Sequence, residues 1–196
     1  MSKFILEKNV SGIEGLTIIT PTIFEDSRGL FFESYNEREL SEQSFDIHFV
    51  QDNQSLSKKG VLRGLHFQRE HPQGKLIRAV TGSLYEVAVD LRSQSNTFGK
   101  WYGILLSAEN QKQLYIPEGF AQGFLALDDN TIFSAKVTDY QHKEYADGVA
   151  WNDADLSIDW PLDSINNMEI IQREADKNRW TLKKLLENVR LPIWIG

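Results

Sequence analysis

Short apolar segments recur along residues 16–140, and glycine, proline, asparagine or aspartate lies between most of them. They occupy 16–24, 30–35, 46–53, 75–82, 83–92, 100–107, 112–117, 120–127 and 130–140. If 83–90 is a strand, Leu84, Glu86 and Ala88 share one face, because side chains alternate along a strand. Eight or more short strands at fairly regular spacing are typical of an antiparallel sandwich or barrel. We therefore predict an all-β fold.

Two short segments favour helices at the periphery of this fold. Asn36 is a suitable N-cap for a helix over 37–40. In 181–189, apolar residues recur at helical spacing behind Thr181, a second suitable cap. The apolar stripe consists of Leu182, Leu185, Leu186 and Val189. We expect this C-terminal helix to pack on the sheet.

We expect residues 1–196 to form one domain, with a core over about 15–160 and a helical tail over about 161–196. The chain has no cysteine, which excludes disulfides and thiolate chemistry and fits a reducing cytoplasm. We expect neither a signal peptide nor a membrane span, because no apolar run is long enough for a span. A net charge of −7 argues against binding to nucleic acid.

Positive charge is concentrated in 58–78, although the chain as a whole is acidic. The cations there are Lys58, Lys59, Arg63, Arg69, Lys75 and Arg78, and Glu70 is the one opposing carboxylate. A small anionic ligand would explain the cluster. The alternative is a solvated basic face with no ligand.

The face on which each residue of 61–68 lies depends on whether this segment is a regular strand. In a regular strand Arg63 shares a face with Leu65 and Phe67, whereas His66 lies on the opposite face. A bulge at Gly64 would change that assignment.

Several segments taken together closely resemble the dTDP-4-dehydrorhamnose 3,5-epimerase family. They read "RGLHFQ", "PQGKLIRAVTGSLYEVAVDLR", "FGKWYGILLS", "YIPEGFAQGF" and "DLSIDWPL", and the resemblance runs from about Gly15 to about Trp180. It implies a cupin-type jelly roll and a homodimer that exchanges strands at its interface. It further implies that the substrate is a nucleotide-linked 4-keto-6-deoxy sugar, and that no metal and no organic cofactor takes part.

The chemistry of such an epimerase requires a base, a stabiliser for an oxyanion and an acid. A ketone at C4 acidifies the hydrogens on C3 and C5, because either carbanion delocalises onto the carbonyl oxygen as an enolate. By resemblance His66 is the base, which suits a histidine. Asp176 is the carboxylate that orients the imidazole, and Lys75 lies near the enolate oxygen.

The resemblance also implies a set of substrate-binding residues. Arg63 matches a substrate-binding arginine, and Arg28 matches a phosphate-binding arginine, a role that suits the fork of the guanidinium. The remaining positions are Glu33, Gln51 and Asn53, which match nucleotide contacts, and Gln122. Some of the site residues have a structural alternative, which is turn chemistry for Arg28, a surface location for Lys75, and a helix cap or loop carboxylate for Asp176.

The sequence departs from the family pattern around the expected sugar pocket. Ala135 stands where the family usually has a tyrosine that acts as the acid opposite the histidine, and Gln122 stands where it has histidine. Gln141 replaces an aromatic residue, and an acidic position falls near Ala146. An alanine methyl group has no proton to give, so another acid, such as Tyr145 or a water molecule, would have to replace the tyrosine. Tyr140 is a poor substitute, because in an unbroken strand it points to the opposite face.

The departures leave three functions open: inversion of both C3 and C5 with a different acid, inversion of one centre only, or action on a related nucleotide sugar.

Two alternative functions belong to other classes of protein. A metal-dependent cupin enzyme would need a His-x-His pair, which the four histidines do not form. A nucleotide-sugar-binding cupin without catalytic activity is also compatible with the loss of the tyrosine.

Overall fold

A computed structural model describes residues 3–188 and 190–192. Thirteen strands and three short α-helices are formed within these ranges. The strands are β1 (Phe4–Lys8), β2 (Thr17–Pro21), β3 (Phe24–Asp26), β4 (Gly29–Phe31), β5 (Gln51–Ser57), β6 (Leu62–Gln68), β7 (Lys75–Thr81), β8 (Ser83–Asp90), β9 (Trp101–Ser107), β10 (Gln113–Ile116), β11 (Phe120–Ala126), β12 (Thr131–Val137) and β13 (Ala146–Gly148). The helices are α1 (Glu37–Ser41), α2 (Glu174–Lys177) and α3 (Leu182–Glu187).

Eleven of the strands form two antiparallel sheets. The six-stranded sheet has the order β1-β2-β10-β7-β12-β5, and the five-stranded sheet has the order β13-β6-β11-β8-β9. The two sheets enclose a common core, to which Ile77 and Leu114 contribute from one side and Leu84, Ala88 and Phe124 from the other. The prediction of an all-β sandwich is confirmed.

The two faces of β8 show why the sequence folds in this way. Leu84 and Ala88 lie in the core between the sheets, as the alternation predicts. Val87 and Val89 point to the outer face and pack in a second apolar cluster, which includes Leu185 of α3. The C-terminal segment therefore covers the outer face of the five-stranded sheet.

Both predicted helices form, and each begins at the predicted cap. The side chain of Asn36 accepts a hydrogen bond from the backbone of Glu39, and that of Thr181 accepts one from the backbone of Lys184. Val189 and residues 193–196, to which the predicted tail extends, lie outside the described residues.

Residues 61–68 do not keep the alternation of a regular strand, because β6 contains a bulge. Gln122 of β11 pairs with His66, and Phe124 pairs with Arg63. The two residues of β11 are two positions apart, whereas their partners on β6 are three positions apart. The extra residue on β6 brings Arg63 and His66 to the same cavity, whereas Leu65 packs in the outer cluster. The bulge at Gly64, the alternative to a regular strand, is therefore what forms.

Candidate active site

A cavity of about 570 Å³ lies between the two sheets. The six-stranded sheet contributes Asn53, Ser55, Lys75, Phe133, Ala135 and Val137 to its wall. The five-stranded sheet contributes Arg63, His66, Phe67, Gln68, Gln122, Phe124, Ala146 and Asp147, and the C-terminal segment contributes Arg173 and Arg179. The volume is in the range of cavities that bind small molecules.

His66 and a buried carboxylate form a close pair at one side of this cavity. Nε2 of His66 lies 2.8 Å from Oδ1 of Asp176, which is almost completely buried in α2. Burial alone would raise the pKa of Asp176. Hydrogen bonds from His66 and Arg173 outweigh this effect and hold that pKa well below its ordinary value. Asp176 is therefore a carboxylate at neutral pH and can orient the imidazole.

The surroundings of His66 favour its uncharged form. Burial lowers the pKa of His66, and the positive charges of Lys75 and Arg173 lower it further, while Asp176 acts in the opposite direction. A histidine that is neutral near pH 7 can accept a proton from a substrate.

Lys75 reaches the cavity from the opposite sheet. It lies on β7, and its Nζ donates a hydrogen bond of 3.2 Å to Oε1 of Gln122. Gln122 is the direct cross-strand partner of His66, so the ammonium and the imidazole approach the same space from two sides. Burial lowers the pKa of Lys75 to about 8, with Glu86 acting in the opposite direction, which leaves the side chain mainly charged at pH 7.

A fully buried acid lies behind Gln122. Nε2 of Gln122 donates a hydrogen bond of 2.7 Å to Oε1 of Glu86, and Oε2 of Glu86 has no partner among the described residues. Burial raises the pKa of Glu86 well above its ordinary value, against the opposing effects of Gln122 and Lys75. The sequence placed Glu86 on the same face of β8 as Leu84 and Ala88, but its contact with Gln122 could not be inferred without the register of β8 and β11.

The predicted site residues divide into two groups. Asn53, Arg63, Gln122 and Gln141 line the cavity together with His66 and Lys75, and Asp176 lies directly behind His66. The guanidinium of Arg63 is held by Oγ of Ser57 at 3.2 Å and the backbone oxygen of Leu56 at 3.3 Å.

Arg28, Glu33 and Gln51 do not line this cavity. Arg28 lies in the β3–β4 hairpin, where its guanidinium pairs with Asp26 at 2.6 Å. Glu33 pairs with Lys3, and Gln51 donates to the side chain of Asn53 at 2.7 Å. Their predicted role in binding the nucleotide therefore stays a prediction.

No tyrosine of the described chain lines the cavity beside Ala135. Tyr140 is exposed, and the ring of Tyr145 lies beside the ring of His71, with centroids 5.7 Å apart. The aromatic part of the cavity wall includes the stacked pair of Phe124 and Phe133, which has no exchangeable proton. The methyl group of Ala135 thus faces a space that no phenol from the described ranges fills.

One further cluster of polar ligands lies outside the cavity wall. Single ligand atoms of His71, Asp139 and His142 lie within 4.8 Å of one another. The two imidazole rings are stacked, with centroids 4.4 Å apart and planes at 23°. In a stacked pair, an ion that lies in the plane of one ring lies outside the plane of the other, which is unfavourable for binding by both imidazoles.

Comparison with known proteins gives consistent results. Residues 11–184 match the family model for dTDP-4-dehydrorhamnose 3,5-epimerase. The chain is 49% identical over 178 residues to a protein of that name from Methanothermobacter thermautotrophicus, covering 91% of this chain and 94% of the relative. It is 47% identical over 176 residues to one from Escherichia coli K12, covering 89% and 93%.

A similar fold is found in a crystal structure of dTDP-6-deoxy-D-glucose-3,5-epimerase from Legionella pneumophila in complex with dTDP-4-keto-L-rhamnose. The TM-score is 0.89 at 40% identity, and the match covers 98% of this chain and all of the other. Within the described residues, no helix is long and apolar enough to cross a membrane.

Proposed function

Because this chain belongs to the dTDP-4-dehydrorhamnose 3,5-epimerase family, and is therefore an isomerase, we propose that it inverts C3, C5 or both in a dTDP-linked 4-keto-6-deoxyhexose. The single observation that carries the proposal is the position of His66 and Lys75 on opposite walls of one cavity. A sugar placed between them has a base on one side and a cation on the other. The Legionella relative holds a sugar nucleotide of this class.

The reaction begins when the imidazole of His66 takes a proton from the carbon next to the ketone. The electron pair of that C–H bond moves onto the carbonyl oxygen and gives an enolate. The ammonium of Lys75 stabilises this oxyanion, and Asp176 stabilises the imidazolium that forms. Return of a proton to the opposite face of the carbon completes the inversion.

The proposal is tested by incubating the protein with dTDP-4-keto-6-deoxyglucose in deuterated water and following C3 and C5 by NMR. Deuterium at both carbons, together with inverted product, is the result expected for a 3,5-epimerase. If neither C3 nor C5 exchanges its hydrogen, with this sugar or with related 4-keto sugar nucleotides, the proposal is contradicted and a binding role remains.

A second candidate, inversion of a single centre, is supported by the absence of a phenol beside Ala135. Proton return to one of the two carbons would lack its donor if that donor is normally the tyrosine. In the same experiment, exchange and inversion at one carbon only would select this candidate.

We further propose that the chain forms a homodimer, in which the β3–β4 hairpin contacts a second copy. The hairpin pairs with neither large sheet, and Phe24, Leu30 and Phe31 are 54%, 54% and 67% exposed. Such an apolar surface is uncommon on a monomer. A second copy would cover it and would bring Arg28 near another molecule, away from the cavity of its own chain.

We also propose that the protein acts in the cytoplasm, because a chain without cysteine is compatible with a reducing compartment. Cell fractionation with an antibody to the protein tests this assignment.

A further inference from the structure

Arg173 contacts the proposed base, although no role was predicted for it. It lies immediately before α2 and makes no capping hydrogen bond with its side chain. Its guanidinium instead turns toward Asp176: Nε donates to Oδ2 at 2.8 Å and Nη2 donates to Oδ1 at 3.0 Å. The same Nη2 lies 3.1 Å from Nε2 of His66. Arg173 also lines the cavity.

Nε2 of His66 therefore faces two groups of opposite character. Asp176 can only accept a hydrogen bond and lies 2.8 Å away, whereas Arg173 can only donate one. A ring nitrogen that carries a proton can bond to the carboxylate, and one that carries a lone pair can bond to the guanidinium. When Nε2 carries the proton, the lone pair lies on Nδ1, which has no hydrogen-bond partner among the described residues.

We propose that Arg173 is a positioning residue for His66, which holds Asp176 in a bidentate pair and keeps the imidazole uncharged until a proton arrives from the substrate. This inference rests on the proposed function, in which His66 is the base. Without Arg173, more of the negative charge of Asp176 would act on the imidazole and favour its protonation in the free protein.

The other charged groups around His66 do not replace Arg173. Arg179 reaches His66 only through Asp176, to which its Nε donates at 3.3 Å. Lys75 approaches from β7 across the cavity, and Gln122 on β11 is uncharged. Asp147 on the neighbouring strand β13 is held in ion pairs by surrounding arginines, which are Arg69, Arg179 and Arg190.

The direction of the effect follows from these charges. Arg173 lowers the pKa of His66 and Asp176 raises it. Removal of the guanidinium should therefore raise the pH at which half of the His66 side chains are protonated. Because the side chain of Arg173 is 60% exposed, solvent weakens its effect, and we expect a shift of about half a pH unit.

The test is an NMR titration of the His66 ring protons in the substrate-free protein, in which four histidines give few signals. Arg173→Gln removes the charge, Arg173→Lys keeps it without the fork, and Arg190→Gln is the matched control, since Arg190 pairs with Asp147. We expect the midpoint to rise by about half a pH unit in Arg173→Gln, and to stay near the wild-type value in the other two variants. An unchanged midpoint in Arg173→Gln would overturn the inference.

The pH dependence of deuterium exchange gives a second readout. On the acidic side of the pH profile, the Arg173→Gln variant should incorporate deuterium into the substrate about threefold more slowly than the wild-type protein. This difference should vanish near pH 8. A raised KM at every pH with an unmoved His66 midpoint would instead make Arg173 a substrate contact and overturn the inference. If the His66 midpoint rises in Arg173→Gln but the wild-type protein incorporates no deuterium into any candidate substrate, the proposed function fails. The effect of Arg173 on His66 then still stands.

Discussion

The site depends on individual side chains whose charge states are set largely by burial. His66 is favoured as a neutral base, and Lys75 remains mainly an ammonium, although both lie in a cavity between two sheets. Neither state is visible in the sequence, since it depends on neighbours that are far away along the chain. The sequence identified His66, Lys75 and Asp176 through the family resemblance, but it did not identify Glu86 or Arg173 as their partners.

Replacement of Lys75 tests the stabilisation of the enolate. We expect Lys75→Met to lower kcat by about 100-fold to 1,000-fold, comparable to the loss of one oxyanion donor. In wild type, kcat/KM should fall as the pH rises through about 8, because the ammonium is then lost. Lys58→Met, at an exposed position of the same basic segment, should keep nearly full activity. A Lys75→Met variant with wild-type kcat would exclude this role.

Replacement of Glu86, which does not line the cavity, tests whether burial raises the pKa of this carboxyl group in the folded protein. Burial raises its pKa in the folded state, so the folded protein binds more protons than the unfolded chain above the ordinary value of 4.5. The free energy of unfolding of wild type should therefore fall relative to that of Glu86→Gln as the pH rises above 4.5, by up to about 1.4 kcal/mol per pH unit. Urea denaturation at several pH values measures this difference, and parallel curves for the two proteins would contradict it.

The bulge in β6 places Arg63 and His66 on one wall of the cavity. Gly64 allows it, because its φ is +131° and an added Cβ would lie 2.5 Å from Cα of Gly123 on β11. The alternation in β8 could be predicted from the sequence because this strand pairs with both of its neighbours without a bulge. The alternation in β6 could not, because one extra residue in a bulge reverses every later assignment.

We expect Gly64→Ala to lower the free energy of unfolding by more than about 2 kcal/mol, since it combines a disfavoured backbone conformation with a collision between strands. Gly99→Ala is the control: its φ is also positive, but nothing lies within 4 Å of the added Cβ. It should cost only about 1 kcal/mol. Equal costs for the two variants, measured by urea denaturation, would show that the close approach of β6 to β11 has no effect.

We propose that the chain is one domain, since its C-terminal segment packs on the five-stranded sheet through Leu182 and Leu185. The position of the β3–β4 hairpin could not be derived from hydrophobic pattern alone. Its apolar residues resemble those of a buried strand, yet they are exposed in the isolated chain. Burial against a second copy would account for this difference.

The proposed dimer can be tested at the hairpin. We expect the double variant Leu30→Glu with Phe31→Glu to sediment as a monomer under conditions in which wild type sediments as a dimer, because two charges would be buried in the interface. Leu186→Glu, which alters an exposed leucine of α3, should remain dimeric. A wild-type chain that is monomeric at micromolar concentration would remove the proposal.

His66→Asn tests whether His66 takes the proton from the carbon beside the ketone. The measurement is deuterium incorporation at C3 and C5 of dTDP-4-keto-6-deoxyglucose, accompanied by calorimetric titration with dTDP. We predict that the variant binds dTDP with near wild-type affinity but incorporates no deuterium at either carbon, because asparagine cannot accept a proton near neutral pH. Incorporation by His66→Asn at the wild-type rate would contradict the account.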